Sequence, residues 1–88
     1  MTGEQTNEAE GDALRALAWI VGEGERAGRF LALTGLTPET LRASVGDPAV
    51  LAAAIRFLES HEPDLIACAG ALSATPLELV DARRRLER

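Results

Sequence analysis

The stretch Glu59-Ser60-His61-Glu62-Pro63-Asp64 comes nearest to a reactive site, with one imidazole among three carboxylates and Cys68 a helical turn further on. An imidazole with two carboxylates suits metal ligation or acid–base work, provided the groups converge on one point. Here the spacing has a plainer use. Glu62 precedes Pro63 and Asp64 follows it, so a helix opened by that proline gives both acids roles at its first turn. Hydrolysis would also need an activated nucleophile and an oxyanion site, and no nucleophile elbow is present. Cys68, the only cysteine, falls on an apolar stripe and reads as buried and inert; it permits neither an intrachain disulfide nor a Cys-rich zinc site. Gly22-Glu23-Gly24 follows a helical pattern and not a strand, which argues against a phosphate loop. The sequence predicts no enzyme and no catalytic, cofactor-binding or metal-binding residue.

Three other features invite a binding function. Leu33-Thr34-Gly35-Leu36-Thr37-Pro38-Glu39-Thr40-Leu41-Arg42 looks like the turn and capped second helix of helix-turn-helix regulators, with Thr40, Arg42 and Ser44 as base or phosphate contacts. The same residues are equally a helix stop followed by a capped start. Arg83-Arg84-Arg85, with Arg88, is the only basic cluster; cations there complement a helix C-terminus, and Asp81 and Glu87 are within reach to pair with them. Trp19 lies away from the Leu14/Leu17/Val21 side of its helix, beside Arg15 and Glu23. It therefore faces either a second neighbour within the fold or a partner, since Trp is enriched at interfaces. The candidate interface residues are Trp19, Arg15, Arg83, Arg84 and Arg85, with the small-residue face around Gly70 as a further apolar surface.

The elements that must position these residues are helices. All four prolines stand where a helix would begin, at Thr37-Pro38, Asp47-Pro48, Glu62-Pro63 and Thr75-Pro76, because the first helical position needs no N–H and already wants the proline φ. The first helix is expected from Glu8 or Asp12 to Val21 or Glu23, with Leu14, Leu17, Ala18 and Val21 as its stripe. A second runs from about Glu25 to Leu33 and ends at a left-handed Gly35, unless it continues the first as one kinked helix. A short third helix follows Thr37 and stops by Gly46. The fourth, capped by Asp47, spans Pro48 to about Ser60 with a broad face of Leu51, Ala54, Ile55 and Leu58, widened by Val50 and Phe57; that breadth marks it as central. The fifth runs from Pro63 to about Ser73, and the sixth opens on a Thr75/Glu78 capping box and closes near Leu86. Short connections imply that successive helices pack as neighbours.

Composition agrees with an all-α, compact bundle of five or six short helices. Of the 88 residues, 47% are hydrophobic but only Trp19, Phe30 and Phe57 are aromatic, so the core is aliphatic and small. Dimerisation would be one way to enlarge it. The division expected is a disordered acidic tail over residues 1–8 and a single helical domain over 9–88. The formal charge of −5 is concentrated at the start, where Glu4, Glu8, Glu10 and Asp12 precede Arg15. Beyond them the balance is nearly neutral, and binding to nucleic acid or an anionic membrane is not expected from charge. With no apolar leader or bilayer-length apolar run, the chain reads as cytoplasmic.

Leu33-Thr34-Gly35-Leu36, the segment from Phe57 to Ala69, and the close from Pro76 to Leu86 together resemble a family of small bacterial all-helical proteins catalogued as a domain of unknown function. The resemblance spans most of the chain after Asp12. It implies a compact helical fold and brings no catalytic or ligand residues with it. The expected function is that of a non-catalytic helical protein–protein interaction module, acting on an unidentified partner or by self-association. The alternative is a helix-turn-helix-like DNA-binding regulator using the helix after Thr37.

Overall fold

The four Xaa-Pro steps do open helices. In the computed structural model, which describes residues 2–88 and side chains from Glu8 onward, the chain forms α1 (Thr2–Val21), α2 (Gly24–Thr34), α3 (Pro38–Ala43), α4 (Pro48–Glu59), α5 (Glu62–Ala71) and α6 (Pro76–Leu86). Among the described residues there is no strand. The start of α1 at Thr2 lies ahead of the Glu8 or Asp12 expected. The acidic tail expected over residues 1–8 rests on Met1 and on side chains 2–7, which lie outside the described residues.

The caps explain where the helices divide. Thr37 Oγ1 accepts from the Thr40 amide at 3.1 Å while the Thr37 amide donates to Thr40 Oγ1 at 2.8 Å. Thr75 Oγ1 accepts from the Glu78 amide at 3.2 Å, and Glu78 Oε1 accepts from the Thr75 amide at 2.8 Å. Asp47 accepts from the Ala49 amide at 2.9 Å. Each side chain satisfies backbone donors that the first helical turn leaves without partners. Gly35 ends α2 at φ 76°, in the left-handed region that favours glycine. One cap has no counterpart in the sequence reading. Extended Glu23 accepts from the amides of Glu25 at 3.1 Å and Arg26 at 3.0 Å, which separates α2 from α1 where one kinked helix was also conceivable. The Arg26 amide bond is the main reason that its carboxyl is held below the ordinary range.

Packing departs from the expectation that neighbours in sequence are neighbours in space. The most extensive contact is between α1 and α6, and these two close with α4 into a three-helix centre, with α5 along α4 and α2 beside α1. Those three share the most extensive contacts, while α5 and α2 touch the same centre from outside. On α1 the stripe is Ala9, Ala13, Ala16, Leu17 and Ile20; of the expected Leu14, Leu17, Ala18 and Val21, only Leu17 is buried. Three alanines at helical spacing let α1 approach closely, and the bulkier Leu14 and Val21 are left largely exposed. The α4 stripe is as expected, with Leu51, Ala54, Ile55, Phe57 and Leu58 all buried. Phe30 meets Phe57 edge to face, the ring centroids 5.4 Å apart.

This distribution makes the outer helices lightly held. A fully buried large apolar side chain contributes about 1.5 to 3 kcal/mol, and α2 contributes only Phe30 and α3 only Leu41. The radius of gyration is 12.0 Å, about that of a compact globule of this length. Among the described residues no single helix is long and apolar enough to cross a membrane.

Candidate functional site

Most of the polar residues singled out in the sequence are engaged within the fold. His61 stands at the start of α5 without making a side-chain cap; its Nδ1 lies 3.3 Å from Asp64 Oδ2, which also accepts from Arg29 Nη2 at 3.2 Å. The carboxylate thus ties α5 to α2 across the surface. Among the described residues no group of three or more His, Cys, Asp or Glu is arranged to hold a metal ion. Cys68 is buried, and burial pushes its thiol up to about 11, leaving negligible thiolate at neutral pH.

The basic cluster divides by role. Arg83 faces α4, where its Nε and Nη2 donate to Glu59 at 2.6 and 3.1 Å and its Nη1 donates to Glu87 at 2.9 Å. Glu87 in turn accepts from Arg56 Nε and Nη2 at 2.6 and 2.7 Å. The result is an alternating chain Glu59–Arg83–Glu87–Arg56 that laces α4 to the end of α6. The Glu59 bond is the first cause raising the Arg83 pKa, and the Arg56 bond is the first cause lowering the Glu87 carboxyl to about 2. Arg84 lies 3.6 Å from Asp81. Arg85 lines a polar cleft with Glu8, Asp12, Glu78 and Asp81, and Arg15 pairs with the same Asp12. Arg85 thus lines the cleft, Arg15 pairs with one of its acids, Asp12, and Arg83 faces α4.

Trp19 is half-buried beneath Arg26, whose guanidinium carbon lies 3.7 Å from the ring centroid and whose Nη2 donates to the Trp19 carbonyl at 2.7 Å. The indole thus meets its second neighbour inside the fold, across the α1–α2 junction. At Gly70 a Cβ would meet nothing within 4 Å, and Ala67 and Ala71 are exposed, so that small-residue face is open among the described residues. In the Thr37 segment the hydroxyls are occupied: Thr40 Oγ1 donates to the Thr37 carbonyl at 3.1 Å and Ser44 Oγ to the Thr40 carbonyl at 2.6 Å. Arg42 alone of the three proposed contacts keeps its donors free of hydrogen bonds among the described residues.

Apolar hollows remain among the described residues, including one of about 250 Å³ lined by Val21, Ala27, Leu31, Pro38, Leu41 and Arg42. A larger one, about 440 Å³, lies between α2 and α4 and is lined by Leu33, Thr34, Leu36, Ala49, Val50, Ala53, Arg56 and Phe57. Its rim is Leu33, 70% exposed. Its polar members are already engaged, Thr34 Oγ1 with the Phe30 carbonyl at 2.9 Å and Arg56 with Glu87. Another hollow of about 250 Å³ runs between α1 and α3, lined by Leu14, Leu17, Ala18, Val21, Leu41, Arg42 and Val45. None of the five candidate interface residues lines any of these hollows. A usable signal for the larger one was present in the sequence: Pro48 to Ile55 contains no charge, which is more apolar surface than one buried face of a helix requires.

Residues 6–88 match the family described as "Protein of unknown function (DUF3572)". No curated protein and no solved structure matches the chain. With nearly the whole chain covered and every described element helical, the chain belongs to the DUF3572 family.

Proposed function

We propose that the chain is a non-catalytic helical interaction module whose docking face is the groove between α2 and α4. One observation carries the reading: the central helix keeps an apolar side, Ala49, Val50 and Ala53, that the described residues cover only in part, with Leu33 exposed beside it. Exposed apolar hollows of this kind favour burial against another surface. A small polar ligand fits less well, because ligand pockets orient their contents with free donors and acceptors, and here Thr34 and Arg56 are already engaged.

A photo-crosslinking residue placed at Leu33 should give one discrete adduct in host cells, and Ala53→Glu should abolish it. The same probe at Leu77, exposed to a similar extent on α6, is the control. Equal labelling from both positions, or none from Leu33, would remove the groove as a docking face.

A further inference from the structure

Independently of the α2–α4 groove, we propose that the trough where α1, α2 and α3 meet docks a partner helix, an amphipathic one that sets a carboxylate against Arg42. Two hollows of about 250 Å³ each adjoin there, and Val21, Leu41 and Arg42 line both. Neither shares a residue with the α2–α4 groove. The α1 wall is the apolar stripe that the core does not use. Its residues Leu14, Ala18 and Val21 recur at i, i+4 and i+7 and all are exposed, which is the spacing along which one helix receives another.

Arg42 decides the chemistry of the occupant. Arg15, Arg29, Arg56, Arg83 and Arg84 each meet a carboxylate within the fold, and Arg85 lies in an acid-lined cleft. Arg42 borders both hollows and makes no hydrogen bond or ion pair among the described residues. An apolar surface seated over it would strip water from the guanidinium and return nothing, so a partner without an acid is penalised and one that places Asp or Glu there is not. A second copy set two-fold on the same face would bring Arg42 against Arg42, at a cost that rises as water is excluded. Duplex DNA needs flanking cations for its phosphates and finds Leu14, Val21 and Val45 instead. An extended peptide needs backbone partners, whereas these walls are helices whose own backbone groups are paired. A helix brings its backbone already satisfied.

The probe is a displayed library of helical peptides of about 18 residues, or about five turns, randomised along one face and selected on the purified full chain. Enriched sequences should share bulky apolar residues at i, i+4 and i+7 and one Asp or Glu bordering that face. Arg42→Glu should weaken the best peptide at least tenfold, and exchanging the peptide's acid for Arg should restore its binding to that variant. Val45→Glu should weaken it as well, while Leu33→Glu and Leu77→Glu, off the trough, leave it unchanged. Far-UV helicity checks each fold; should Arg42→Glu lose helicity, Arg42→Gln carries the comparison. No enrichment, enrichment of sequences without an acid, or equal binding by Arg42→Glu would overturn the proposal. So would Arg42-dependent binding of dodecanoate or of a short DNA duplex where no peptide binds, the first putting a fatty acid in the trough and the second nucleic acid.

Discussion

At the scale of single residues, Cys68 gives the most direct test of the fold. The chain contains no Lys and no Tyr, so Cys68 is the only side chain ordinarily titrating between pH 8 and 12. Burial pushes the thiol up from 9.0 to about 11. The folded state therefore holds the proton more tightly than the unfolded chain, and stability is whole below pH 9.0 and declines as pH rises toward 11. Urea unfolding should show that decline in the native chain and a flat profile in Cys68→Ala, which should itself cost about 1 kcal/mol near neutrality. The sequence alone placed Cys68 on a buried stripe, because its spacing from Leu65, Ala69 and Leu72 is helical. The partners of His61 were less legible: Asp64 reads locally as a first-turn acid, yet it also meets Arg29 on α2, a contact that no local spacing reveals.

At the scale of elements, the laced carboxylates between α4 and α6 make acid the relevant stress. Glu87 is held at about 2 against an ordinary 4.5, first by the Arg56 hydrogen bonds. Its contribution is present above pH 4.5 and is lost as pH falls through 2, the direction expected when the unfolded state binds the proton more readily. Thermal melts between pH 5 and 2 should therefore fall less steeply for Glu87→Gln, which should already melt below the native chain at pH 7. Helix starts were the legible part of these elements, because Thr37, Asp47 and Thr75 beside prolines satisfy known backbone donors. The burial pattern of α1 was not. Two stripes on that helix are both apolar, and the choice between Leu14/Val21 and Ala13/Ile20 was made by how closely α6 and α4 could approach. The Glu23 cap was hidden because a long side chain reaches back only once the backbone has already turned.

At the scale of the whole molecule, the fold class was legible from prolines and composition, whereas the helix order in space was not, since the most extensive contact joins α1 to α6 across nearly the entire chain. The candidate groove was partly legible, in the charge-free run that opens α4, but its second wall depends on where α2 comes to rest. That wall has only Phe30 as a buried anchor. Local opening of α2 is accordingly less costly than opening of α4, and its amides should exchange with deuterium sooner. Anything seated in the groove holds α2 closed by mass action, in proportion to its affinity for the closed form. The exchange rate of α2 amides is thus a built-in gauge of occupancy: slowing on addition of a partner would report a filled groove, and an unchanged rate an empty one.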